Sequence, residues 1–487
     1  MSARAPAGTA RRLIPVLLLL LLLARIAAMA WLPLMDTTEA RYGEISRKMA
    51  QLGDWVTPWH DWGVPFWGKP PLSFWLSAAS FRLLGVSEFA GRLPHLLCAL
   101  GMAGLVWDFA RRRFGTREAW LALALLGGSS LFLVSAGALM TDGALVLCST
   151  LAMYAFWMAL QAEPGAARRR QGWLFFAALG LGLLAKGPLA LVLVGLPLSA
   201  WLLATRRWAE AWRALPWGRG LILTLLIALP WYLLAERRTP GFLAYFIVGE
   251  HWHRFVTPGW SGDLYGKAHR YAPGTIWLFA VPALLPWTLL LPLAGWRQPR
   301  PAALAGAQRE QALYLLLWAL MPLLFFTAAR NIIWPYVLPA LPAAALLGAQ
   351  WLARRVPKAE AWVAGGLLAC LLLGAGGLWW GQRSGRIEAA TARALVAAYE
   401  TRRSGSAQPL LYVGHRPFSA AFYSAGQAQE LAGLDELPRH LGPAGAFVAL
   451  PAGQAALLPQ AQRLGRFGTD ELLMLQPPAA GATASAP

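Results

Sequence analysis

Met35-Asp36-Thr37-Thr38-Glu39-Ala40-Arg41-Tyr42 follows directly on an apolar run from Leu13 to Leu34, and the loop it opens closes with Phe66-Trp67-Gly68-Lys69-Pro70-Pro71. The run before it is long enough to cross a bilayer, which takes about 20 residues. A density of carboxylates, cations and aromatic rings at the edge of such a run marks a membrane boundary with polar chemistry. That reading decides the class of fold.

Composition agrees. The 487 residues are 57% hydrophobic and 14% charged, with a mean hydropathy of +0.46. These are the proportions of a polytopic membrane protein. The formal charge of +20 does not point to nucleic acid, because the basic residues stand in short clusters between apolar runs. Cys98, Cys148 and Cys370 lie inside apolar runs without metal-ligand spacing or a disulfide framework. Ala28-Met29-Ala30 resembles a signal-peptidase site. The spans that follow make an uncleaved first helix the simpler reading.

Hydropathy predicts about eleven spans, near 13–34, 89–110, 118–139, 142–161, 172–185, 188–204, 219–235, 271–296, 311–328, 332–350 and 361–381. With the N-terminus inside, Arg111-Arg112-Arg113, Arg168-Arg169-Arg170, Arg206-Arg207, Arg297 with Arg300, and Arg354-Arg355 with Lys358 all fall on the cytoplasmic side. The opposite side collects Asp36 to Gly91, the Asp142 turn, the Lys186 turn, the loop around His251, and Arg330. Asp36–Gly53, Pro70–Leu84 and Gly241–Phe255 read as helices on the outer surface. In the second, Leu72, Trp75, Leu76 and Ala79 form the apolar side. Residues 383–487 read as a small α/β domain facing outward, with strands at Leu410–Val413 and Phe447–Leu450 and a disordered tail from Pro477. The expected architecture is therefore an all-α membrane domain over 1–382 and an α/β domain over 383–487.

The polar groups on the outer side are the candidates for chemistry. Asp36 and Glu39 have the spacing of a capping box. A carboxylate fixed in that way also suits a general base or a metal ligand. Lys69 stands before two prolines that stiffen the backbone, and offers a compact charge to a phosphate. Asp142 and Lys186 occupy turns where a charge needs a partner or water. Glu250, His251 and His253 suggest a divalent metal, but i, i+2 spacing splays the histidines on a helix. A hydrogen bond from His251 to a phosphate or sugar is the alternative. Arg330 has the geometry to pair with phosphate, and Tyr336 follows it. No cytoplasmic loop carries an Asp-x-Asp or Gly-rich phosphate loop, so a nucleotide-sugar donor lacks support.

Six pieces occur in an order that resembles a known family: Glu39-Ala40-Arg41-Tyr42, Gly68-Lys69-Pro70-Pro71-Leu72, Met140-Thr141-Asp142, Lys186-Gly187-Pro188, Glu250-His251 and Tyr336-Val337-Leu338-Pro339. The chain is similar, over roughly residues 10–380, to the bacterial protein-mannosyltransferase-like family of C-type (GT-C) glycosyltransferases, whose best-known bacterial type transfers aminoarabinose to lipid A. The resemblance implies a polyprenyl-phosphate sugar donor, inversion at the anomeric carbon, and a lipid A-like lipid, a glycan or a protein as acceptor. It implies a bacterial inner-membrane enzyme whose site faces the periplasm. It also implies that Lys69 and Arg41 attend the donor phosphate, with Tyr42, Asp142, Lys186, His251 and Tyr336 near the cavity. Three departures stand out. Thr38 occupies the place where the family often has Asp, so the base is shared between Asp36 and Glu39. Gly68 replaces an acidic residue, which leaves a divalent metal an open question. Arg330 is the nearest substitute for a Lys expected before Tyr336. The rival class, a flippase of lipid-linked sugars, predicts charges at mid-membrane and inverted repeats.

Overall fold

The computed structural model describes residues 7–257, 259–266, 269–299, 303–403 and 408–476. The tail from Pro477 lies outside them. The chain divides into two compact units. One comprises Met1–Ala30 and Met49–Gly374; the other comprises Trp31–Lys48 and Ala375–Pro487. The boundary therefore differs from a single cut at 382, since Trp31–Lys48 belongs with the C-terminal residues.

The first unit is helical. Among the described residues, seven helices are long and apolar enough to cross a membrane, and a bent pair, Thr275–Ala283 with Trp287–Gly295, makes an eighth if counted as one span. The remaining three of the eleven expected segments also fall on helices. Residues 118–139 break into Thr116–Gly127 and Ser130–Ser135, 172–185 lies in Ala166–Lys186, and 188–204 forms the shorter Leu189–Thr205. The chain is thus a multi-pass membrane protein of mostly helical build.

Small residues let the helices close on one another, the device expected where lipid supplies no hydrophobic contrast. A Cβ on Gly220 would meet the Phe176 ring at 2.0 Å, and one on Gly182 would lie 2.8 Å from the Ala190 Cβ. Phe156, Trp157, Trp201 and Tyr314 stack into a central aromatic cluster, and the buried Tyr314 hydroxyl donates to the Met153 carbonyl at 2.7 Å.

Helix Leu72–Leu84 reverses the usual rule that the apolar side turns inward. Its buried face holds Ser73, Phe74, Ser77, Ala78, Ser80 and Phe81, whereas Leu72, Trp75, Leu76 and Ala79 are half-buried. The serines explain the reversal. Ser80 Oγ donates to the Ala90 carbonyl at 2.6 Å and Ser77 Oγ to that of Gly91 at 3.1 Å, both on helix Glu88–Arg113. Interhelical hydrogen bonds, not greasiness, select the inward face.

In the second unit, a five-stranded mixed sheet runs in the spatial order Gln429–Leu431, Leu410–Val413, Ala446–Pro451, Asp470–Leu475, Gln462–Phe467. The first three strands are parallel neighbours and the last two are antiparallel. Alternate residues feed two cores: Leu410, Tyr412 and Phe447 on one face, Leu411, Val448 and Leu450 on the other. Helix Thr38–Leu52 belongs to this unit up to Lys48. It is buried from Tyr42 to Met49, on its polar side too, because Glu44 is held by Arg47 at 2.7 Å and Lys48 at 3.7 Å. Such neutralisation lets a charged helix face leave solvent.

Candidate active site

Within the helical unit, four segments far apart in sequence bring their polar groups to one cavity of about 180 Å³. Lys69, Lys186, Glu250, His251, Arg254 and Tyr336 line it, with Val192, Phe255 and Phe325 on its apolar side.

Lys69 is fixed by its neighbours. Tyr265 clamps the preceding chain: its hydroxyl donates to the Pro65 carbonyl at 2.8 Å and accepts from the Trp67 N–H at 2.9 Å. Gly68 is needed because an added Cβ would sit 2.9 Å from the Phe66 ring. The Lys69 ammonium then donates to the Gly68 carbonyl at 2.6 Å and to Glu250 Oε1.

Glu250 and His251 come from a π-helix, Ala244–His253, continued by the short helix Arg254–Val256. Wide turns of this kind recur at functional sites. Arg254 Nη1 donates to the same Glu250 Oε1 at 2.6 Å, and its Nη2 lies 3.2 Å from Asp263. Burial disfavours the Glu250 anion, yet Lys69 and Arg254 outweigh it and hold this carboxyl below the usual carboxylate range. Two buried atoms here, Glu250 Oε2 and Arg254 Nε, have no hydrogen-bond partner among the described residues.

Lys186 ends its helix where Gly187 turns the chain at φ +68°, and a Cβ on that glycine would strike Phe246 at 2.7 Å. Its ammonium donates to Asp142 at 2.6 Å and lies 4.7 Å from the centre of the Tyr336 ring. Asp142 opens its own helix, where a carboxylate suits the dipole. His251 braces the turn: Nδ1 is 2.7 Å from the Phe246 carbonyl and Nε2 is 3.2 Å from that of Lys186. Burial holds its pKa below the ordinary value.

The cavity therefore brings together Lys69, Lys186, His251 and Tyr336 from the expected set and adds Arg254, while Asp142 stands behind Lys186 outside the lining. The sequence analysis gave Arg254 no part; its i, i+4 spacing from Glu250 was the available signal. Arg330 is exposed and does not line the cavity; its neighbour Asn331 does.

Asp36, Glu39, Arg41 and Tyr42 are placed in the other unit. Asp36 caps a helix other than its own. Its carboxylate accepts from the Ser419 N–H at 3.0 Å and from the Ser419 hydroxyl, at the start of helix Phe418–Tyr423. Burial nonetheless raises the Asp36 pKa above its ordinary 3.8. Glu39 is half-buried in the first turn of its helix, and the Arg41 guanidinium lies 5.2 Å from the Tyr42 ring centre and 5.7 Å from that of Phe418.

The Glu250, His251 and His253 set does not fit a divalent ion. Among the described residues no three His, Cys, Asp or Glu side chains converge. Glu250 is claimed by two cations, and both His251 nitrogens face carbonyl oxygens.

Residues 10–246 match the family model described as "Dolichyl-phosphate-mannose-protein mannosyltransferase" (PMT). An undecaprenyl phosphate-alpha-4-amino-4-deoxy-L-arabinose arabinosyl transferase of Pseudomonas fluorescens (strain Pf0-1) is 35% identical over 342 residues, 67% of this chain and 55% of that relative. The corresponding enzyme of Edwardsiella ictaluri (strain 93-146) is 32% identical over 346 residues, 70% of this chain and 59% of its own length. The chain thus spans little more than half the length of these relatives. The crystal structure of ArnT from Cupriavidus metallidurans bound to undecaprenyl phosphate superposes with a TM-score of 0.78 at 21% identity, covering 96% of this chain and 98% of that one. The two curated relatives are named as transferases. Residues 10–246 thus match a PMT-family domain, and the chain has the fold of the ArnT crystal structure.

Proposed function

We propose that this protein transfers a sugar from a polyprenyl-phosphate donor to a lipid A-like acceptor, with inversion, at the periplasmic face of the bacterial inner membrane. The names of the relatives favour undecaprenyl phosphate as carrier and 4-amino-4-deoxy-L-arabinose as sugar. A glycan or a protein remains the wider acceptor class for the fold family. The observation that carries the proposal is the cavity where Lys69, Lys186 and Arg254 face an apolar wall inside a membrane-spanning unit. Cations beside a greasy surface suit a phosphate on a prenyl tail.

In the proposed reaction an acceptor oxygen attacks the anomeric carbon from the face opposite the phosphate. The sugar–phosphate C–O bond breaks and its electron pair leaves with the phosphate. The donor diester carries one negative charge and the departing monoester close to two at neutral pH. Lys69 and Arg254 meet that growing charge, the kind of interaction that lowers a barrier because it strengthens as the bond breaks. Lys186, anchored to Asp142 and resting on Tyr336, contributes fixed positive potential. Arg41 and Arg330 are retained only as secondary candidates for donor contact. Asp36 and Glu39 stay as the two carboxylates weighed as acceptor base, Asp36 accepting from Ser419.

The test is sugar transfer by the purified protein in detergent. Undecaprenyl-phosphate aminoarabinose and lipid A serve as substrates, with Lys69→Ala, Arg254→Ala and Glu39→Gln compared with wild type. Loss of transfer in Lys69→Ala and Arg254→Ala supports the phosphate site. Wild-type rates in both would remove it.

A further inference from the structure

Among the described residues, Glu250 is the one acidic side chain lining the cavity, and it is placed where a phosphate would go. A single oxygen, Oε1, takes hydrogen bonds from both Lys69 and Arg254, while the buried Oε2 has no partner among the described residues. Only 6% of the Glu250 side chain is exposed, so water does not screen it. Lys186 does not share this arrangement, because its acid, Asp142, stands outside the cavity lining.

A phosphate that binds Lys69 and Arg254 must therefore compete with a carboxylate already bound to both. We infer that Glu250 is a resident counter-anion, the group that the prenyl phosphate displaces on entry and that reclaims the two cations as the phosphate leaves. It is a positioning residue. It keeps Lys69 and Arg254 converged while no lipid is bound, and it weakens the hold on the spent monoester more than on the donor, since repulsion grows with the ligand's charge. The inference rests on the donor reading above and adds a means of product release to it.

The experiment measures binding of farnesyl phosphate, a short prenyl monoester, to the full-length protein in detergent by titration calorimetry, with farnesol as the uncharged control. Wild type is compared with Glu250→Gln, which keeps shape and removes charge. The expected result is tighter binding in Glu250→Gln by about tenfold, with farnesol unaffected. Equal or weaker farnesyl phosphate binding in a folded Glu250→Gln overturns the inference, because Glu250 would then be a clamp only. Should that variant fail to fold, Glu250→Asp decides. Drawn back by one methylene, it is expected to bind about threefold tighter, and no gain overturns the proposal. If wild type binds farnesyl phosphate no better than farnesol, the donor reading falls and the inference with it.

Discussion

Lys186 and Asp142, 44 residues apart in sequence, meet at 2.6 Å in a part of the helical unit where both side chains are under 10% exposed. A buried pair of this kind is worth little by itself, but breaking it is expensive. Asp142→Asn is expected to cost about 3–5 kcal/mol by leaving an unpaired ammonium. Adding Lys186→Met to Asp142→Asn is expected to return most of that loss. Thermal denaturation of the single and double variants in detergent checks both statements.

Lys69 and Arg254 act on the same phosphate in the proposed reaction. Each alanine variant is expected to lower kcat/KM for sugar transfer by about 10²- to 10³-fold, the range for removing one charge-stabilising donor. The double variant should lose less than the product of the two, since the groups share one partner, Glu250. Steady-state kinetics with a fixed acceptor concentration reads this directly.

Tyr336 supports Lys186 with its ring face. Tyr336→Phe is expected to keep transfer within a few-fold of wild type. Tyr336→Ala is expected to lose roughly 1–2 kcal/mol of stability, from a desolvated cation–π contact. The contrast between the two in a melting assay separates ring from hydroxyl.

Asp36 titrates in the unit that holds the C-terminal sheet. Burial raises its pKa in the folded state above the ordinary value of 3.8. The folded protein then binds a proton more readily than the unfolded chain. This group's contribution to stability is complete below the unfolded pKa and is lost as pH rises through the folded one. Denaturation of this unit, followed by amide exchange over the sheet strands, is expected to show a decline of stability beginning above roughly pH 4. Asp36→Asn should flatten that decline. A slope unchanged in Asp36→Asn would refute the assignment.

Most spans were legible because hydropathy is a local signal: among the described residues seven of the expected segments coincide with helices long and apolar enough to cross a membrane, and an eighth with a bent pair. Lys69, Asp142 and Lys186 stood out as candidates because charge at a membrane boundary contrasts with its surroundings, whereas His251 and Tyr336 were grouped with them by the family resemblance. Three things were hidden. The inward face of Leu72–Leu84 was left unassigned, because a bilayer removes the rule that apolar residues turn inward; Ser77 and Ser80 turn inward there. The part played by Asp36 depends on Ser419, 383 residues away, and no local pattern announces such a partner. Arg254 was overlooked in favour of Arg330 because sequence order alone cannot say which arginine reaches a cavity.

The attachment of Trp31–Lys48 to the C-terminal unit has a consequence for biosynthesis. Asp36 leaves the ribosome early, but its partner Ser419 follows 383 residues later. At 5–20 residues per second the wait is roughly 20 to 80 s. Throughout it, a stretch carrying Glu39, Arg41 and Glu44 waits without the rest of its unit. Its completion is therefore among the last events of translation, and nascent chains halted before residue 419 should leave it open to proteases while the earlier spans are already protected.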